Sequence, residues 1–178
     1  MGRLLFDTGY PSNAVKYHLR ALNYNSREVQ AMIGLGNAYY ELGKLSESIE
    51  YYRQALDIDD RNGEVHFNLA NAFYLNQQLD EAIKHYQTTV SMIPNKPDYY
   101  LNLGNALAAE ERFEEARDAF LKAVEIDPKC PAYYNLGNAQ ASLEDAKAAI
   151  ESYHKALELE DGSFDVHNNL ATVYFREK

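Results

Sequence analysis

The chain has 178 residues, 46% of them hydrophobic, and a formal net charge of −10 with a pI near 4.9. That length suits one ordinary domain or one short repeat array, and no apolar run approaches the roughly eighteen residues of a membrane span. The acidity argues against nucleic acid and anionic membrane, which both need a basic footprint, and favours a neutral or basic partner.

The opening stretch, MGRLLFDTGYPSNAV, lacks the continuous apolar segment and small-residue cleavage site of a signal peptide. Phe6 stands where the myristoylation pattern needs Ser or Thr. The lone Cys130 has no intrachain partner, so a reducing, cytoplasmic compartment is expected.

The first helical pattern is Ala14, His18 and Ala21, preceded by a short stub at Arg3–Asp7. Met32, Leu35, Gly36 and Tyr39 then fall at i, i+3, i+4 and i+7, and so do Leu45, Ser48, Ile49 and Tyr52. Each set is one apolar stripe of an amphipathic helix. Leu42-Gly43-Lys44 between them reads as a helix stop and turn, so the two form a hairpin. Breakers follow at Asp59–Gly63, Ile93–Pro97 and Asp127–Pro131. The last pattern, Phe164–Arg176, is a first helix without a second, so the chain reads as a segment cut from a longer array.

The pattern repeats. IGLGNAYY (33–40), FNLANAFY (67–74), LNLGNALA (101–108) and YYNLGNAQ (133–140) share one phrase. Gly36, Ala70, Gly104, Gly137 and Ala171 are spaced by 34, 34, 33 and 34 residues, which marks a solenoid or array. The shorter interval places a missing residue between Ala123 and Tyr133, in one connection. The predicted units are a partial repeat at 1–28, complete repeats at 29–62, 63–96, 97–129 and 130–163, and a half repeat at 164–178.

These columns resemble the tetratricopeptide repeat. His66, Leu69, Ala70, Phe73, Ala82, Tyr86 and Pro94 carry the resemblance in one unit. Tyr100, Leu103, Gly104, Leu107, Ala116, Phe120 and Pro128 carry it in the next, and Tyr133, Leu136, Gly137, Ala149 and Tyr153 in the last full one. Ser48 replaces the usual Ala, Gln140 an aromatic, and Asp60 and Asp161 the closing Pro. The resemblance implies an all-α, right-handed superhelical solenoid of helix hairpins whose first helices line a concave groove. The small residue after each leucine lets two helices approach, and aromatic and aliphatic side chains fill the space opposite. One hairpin cannot bury its face alone, so stacking is obligatory.

Two asparagine columns stand off the packing stripe. At about 100° per residue, Asn37, Asn71, Asn105 and Asn138 lie roughly 150° from its centre, so packing on the helix's own partner is not expected to explain them. Asn68, Asn102, Asn135 and Asn169 lie as far round on the other side. Apolar and aromatic residues run beside them: Ile33, Phe67, Leu101 and Tyr134, then Tyr40 and Tyr74. An uncharged amide offers one acceptor and two donors, and a ladder of them suits the backbone of an extended peptide. Tyr adds rigid amphipathic area. The expected function is therefore a non-enzymatic scaffold or adaptor that binds a partner's peptide segment in the groove. The alternative role is structural, with the amides bonding neighbouring repeats.

Tetratricopeptide co-chaperones hold acidic chaperone tails with Lys and Arg on these columns. Here the columns carry none, so an acidic C-terminal tail is rejected as ligand. Glu41, Glu64, Asp98 and Asp165 near the edges favour a partner with some basic residues. The Asn-Leu-Ala/Gly phrase is also similar to the substrate-holding arm of O-linked N-acetylglucosamine transferases, which leaves open a recruiting arm of a larger enzyme. A third reading is self-assembly through the terminal helices. No catalytic or metal site is expected. The five histidines do not cluster in sequence, His18, His66 and His167 read as packing residues, Cys130 reads as a loop residue, and no cofactor motif is present. The acidic pairs Glu110-Glu111 and Glu114-Glu115 read as solvated helix ends.

Overall fold

The computed structural model describes residues 10–177, and the predicted stub at 3–7 lies outside them. The described residues form ten α-helices and no strand. They fall into two compact units, Met1–Met92 and Ile93–Lys178. The first holds α1 (Tyr10–Tyr24), α2 (Val29–Glu41), α3 (Leu45–Leu56), α4 (Gly63–Leu75) and α5 (Leu79–Met92). The second holds α6 (Pro97–Ala109), α7 (Phe113–Ile126), α8 (Cys130–Ser142), α9 (Ala146–Leu159) and α10 (Phe164–Arg176). Within each unit every helix packs on the next in sequence, and first helices also touch: α2 meets α4, α6 meets α8 and α8 meets α10. The architecture is an all-α solenoid of helical hairpins.

The small-residue column sets the helix spacing. A Cβ added at Gly36 would lie 2.5 Å from the Tyr52 ring, one at Gly104 2.4 Å from Phe120, and one at Gly137 2.6 Å from Tyr153. Each ring is buried against the backbone of its own hairpin. Leu35, Leu69, Ala70, Phe73 and Ala82 are fully enclosed in the first unit. In the second, Ala149, Tyr153, Ala156, Val166, Leu170 and Val173 form one cluster. The ion pairs among the described residues join exposed or part-exposed side chains, where solvent screening leaves them little net effect on stability. Apolar packing therefore carries the fold.

The hairpin turns share one backbone device. Gly43 (φ +69°), Gln77 (+60°), Glu111 (+57°) and Glu144 (+61°) all occupy the left-handed region, just past the end of a first helix. There the next residue's N–H returns to the helix, as from Lys44 to the Tyr39 carbonyl and Gln78 to that of Phe73. Two departures from the repeat pattern are explained by pairing. Ser48 donates to the Gly36 carbonyl (2.8 Å), and Ser152 donates to Oε1 of Gln140 (2.7 Å), both in buried surroundings. The shortened connection is residues 127–129, and it makes Cys130 the first residue of α8 rather than a loop residue. Pro131 follows within the first turn, where a missing N–H costs nothing.

Candidate functional site

The asparagine columns are wired together by hydrogen bonds, and this corrects the expectation drawn from helical angles. Tyr52 donates its hydroxyl to Oδ1 of Asn37 (2.6 Å), Tyr86 to Asn71 (2.6 Å) and Tyr153 to Asn138 (2.8 Å). Each pair lies within one hairpin, so the first asparagine column does bond to the helix's own partner. A wheel angle measured at Cα misses this because a tyrosine reaches past the stripe with its ring and still extends a hydroxyl. Burial pushes these phenols up, Tyr153 to about 12, and Tyr52 and Tyr86 further. They remain neutral donors.

The second column bonds to the first. Asn68 donates Nδ2 to Oδ1 of Asn37 (3.4 Å), Asn135 to Asn105 (2.9 Å) and Asn169 to Asn138 (2.9 Å). Asn102 instead donates to the carbonyl of Asp98, one turn earlier (2.8 Å). Asn105 faces Phe120 rather than a tyrosine and so has no phenol to bond. The unit of construction is a relay: Tyr hydroxyl to Asn Oδ1, and the next repeat's Asn Nδ2 to that same Oδ1. It is complete at Asn37 and Asn138. The bonds consume the oxygen of the first amide and a donor of the second. They leave unused the Nδ2 donors of the first amide and the Oδ1 acceptor of the second. Asn37 is exposed, and Asn68, Asn71, Asn102, Asn105, Asn135 and Asn138 are half-buried.

The flanking residues are also half-buried. Phe67 lies with its ring 5.8 Å from that of Tyr86, and Tyr134 lies 6.4 Å from Tyr153. Tyr134 also accepts a bond from Asn169 (3.3 Å). Leu101 borders a small cavity with Pro97, Asp127 and Pro131, on the short connection. Ile33 and Tyr74 each keep part of their surface open. In the first unit Asn37, Tyr40, Asn68 and Asn71 converge on one recess, together with Glu41 and Tyr52.

The histidines are less dispersed than the sequence implied. His66 and His85 meet across the α4–α5 hairpin with Nδ1 atoms 2.9 Å apart and rings stacked at 5.1 Å. Nε2 of His66 lies 3.1 Å from the Asp60 carbonyl, so it carries a proton there. Its Nδ1 then accepts from Nδ1–H of His85. Burial chiefly, then the neighbouring His66, pushes His85 down to about 4. His18 packs against Gly34, as a packing residue should, but His167 is exposed, with Nδ1 3.2 Å from the Ser163 carbonyl. Glu110, Glu111 and Glu114 are exposed, while Glu115 takes Arg112 in a two-pronged pair at 2.7 Å. Among the described residues no three or more His, Cys, Asp or Glu side chains gather as a metal site. Nor is any described helix long and apolar enough to cross a membrane.

Stacked hairpins at a 34-residue period, with glycines under aromatic rings, define a helical-repeat protein. Tetratricopeptide-repeat profiles match residues 36–77, 67–131 and 131–162, and the chain belongs to that family. The fold is similar to that of MamA (22% identity, TM-score 0.83), covering 90% of this chain and 97% of that one. It is similar to YrrB, described as a TPR protein with an unusual peptide-binding site (25% identity, TM-score 0.83, covering 93% and 86%). It also resembles the first TPR of Spaghetti (RPAP3) bound to the HSP90 peptide SRMEEVD (25% identity, TM-score 0.63, covering 67% and 95%). No curated protein matches the chain.

Proposed function

We propose that this chain is a non-enzymatic interaction scaffold that holds an extended segment of a partner protein along its first helices. The observation that carries this is the polarity of the amide relay. Each joined pair keeps spare N–H donors and one spare carbonyl acceptor, and a peptide unit offers one acceptor and one donor in return. Half-buried Phe67 in the first unit, and Leu101 and Tyr134 in the second, supply apolar surface next to the asparagines of their own unit. Such a surface reads backbone more than side chains, so it accepts many sequences. The acidic peptide held by the RPAP3 repeat is not the expected ligand, because neither asparagine column carries a cation. The same surface would serve as the recruiting arm of a larger enzyme. A second assembly reading is favoured by Phe164 and Phe175, each 79% exposed on α10.

The test must remove the outward donor without losing the inward acceptor. Asn→Asp does so, since its oxygen still receives the inward donors: the Tyr153 hydroxyl and Asn169 Nδ2 at position 138, and Asn135 Nδ2 at position 105. Peptides selected from a random display library on the intact protein should bind Asn105→Asp and Asn138→Asp about tenfold more weakly each. Melting temperature should stay close to that of the parent. Selected peptides that ignore both substitutions would overturn the reading.

A further inference from the structure

The recess in the first unit is lined mostly by polar side chains, and its formal charge has one sign. It is a cavity of about 170 Å3 lined by Asn37, Tyr40, Glu41, Tyr52, Asn68 and Asn71. Glu41 is the only ionised group in that lining. It forms no ion pair among the described residues, and it is exposed. It is also the last residue of α2, where the aligned peptide dipoles give the helix end a partial negative charge. The field is felt nearby: after burial, Glu41 is among the causes holding the Tyr52 phenol up.

The lining sorts by hydrogen-bonding role. Oδ1 of Asn37 is occupied by Tyr52 and Asn68, and Oδ1 of Asn71 by Tyr86. Those bonds leave the Glu41 carboxylate, the Asn68 oxygen and the Tyr40 phenol as acceptors among the lining residues, with the Nδ2 groups of Asn37 and Asn71 as donors. A carboxylate beside an aromatic wall and a second acceptor suits a planar, multi-donor cation. A guanidinium can pair with the carboxylate in two-pronged fashion and lie on a phenol ring. An ammonium is a point charge that keeps its water more tightly. The amide donors beside it suit a backbone carbonyl.

We propose that this recess seats an arginine side chain of the bound segment, with Glu41 taking the guanidinium and Tyr40 forming the wall. The inference rests on the extended-segment reading and fixes one specificity position within it. It predicts one preferred residue type in an otherwise sequence-tolerant groove.

The probe is a set of blocked pentapeptides, acetyl-Ala-Ala-Xaa-Ala-Ala-amide, with Xaa as Arg, citrulline, Lys or Glu. Side-chain amide NMR signals of Asn37, Asn68 and Asn71 report occupancy on the intact chain. The Arg peptide should shift all three saturably. The citrulline peptide, of nearly equal shape but uncharged, should bind about tenfold more weakly, and Glu41→Gln should bring Arg down to the citrulline level. Equal shifts from Arg and citrulline would overturn the arginine seat and leave the backbone-reading groove standing. A Lys peptide as tight as Arg would overturn the guanidinium assignment. No shift with any peptide would sink both readings. Circular dichroism on Glu41→Gln separates lost binding from lost fold.

Discussion

A single hydroxyl distinguishes one hairpin from the others. Tyr52, Tyr86 and Tyr153 each bond an asparagine, whereas Phe120, buried in the same column, leaves Asn105 without that partner. Phe120→Tyr should therefore stabilise the protein by about 1 kcal/mol, and Tyr86→Phe should cost about as much, read by urea denaturation. The His66–His85 pair makes a pH prediction at the same scale. His85 is held down to about 4 in the folded chain against an ordinary value near 6.5. Between those values the unfolded chain binds a proton that the folded one refuses, so stability is fully present above about 6.5 and falls on acidification toward 4. The groups facing the ring are His66 on α4, Glu81 and Lys84 on its own helix, and Arg53 on α3. After discounting for partial exposure the loss is about 1–2 kcal/mol. His85→Phe should flatten that part of the profile, measured as the difference between denaturation midpoints near neutral pH and near pH 4.5. The sequence hid this pair because the two histidines are 19 residues apart and meet only when the hairpin closes.

Helices and turns were more legible than bonds. Period and stripe placed each hairpin, because an apolar face repeated at 34 residues has few ways to be buried. Phe164–Arg176 was readable to its ends. Amide orientation was not, since it depends on what lies across the hairpin, and the tyrosine responsible is 15 residues away in each case. Nor did the sequence announce the turn strain. Gly43 advertises the left-handed position, but Gln77, Glu111 and Glu144 take it with side chains that pay for it. Replacing any of the three by Gly should stabilise by about 1 kcal/mol, and Gly43→Ala should destabilise by a similar amount. Thermal unfolding of the four single variants checks the sign at each turn.

For the whole molecule, stability is a sum of repeat and neighbour terms, so these increments should add when they lie in hairpins that do not touch. The chain's charge of −10 opposes casual association. The aromatic residues exposed on α10 act the other way. If they drive assembly, light-scattering mass climbs from 20.3 kDa with concentration, and Phe164→Ser with Phe175→Ser restores it. If the groove acts alone, the mass stays at 20.3 kDa throughout.

Phe120 has one more consequence. Where a tyrosine pins the amide, turning the asparagine over would strand a hydroxyl proton in a part-buried place, at a cost of about 1–3 kcal/mol. Asn105 has no such anchor, and its bond to Asn135 survives if both amides invert together. The rung can therefore keep that bond with donor and acceptor exchanged. At Asn37, Asn71 and Asn138 the tyrosine fixes which side of the amide faces the hairpin; at Asn105 donor and acceptor are free to change places.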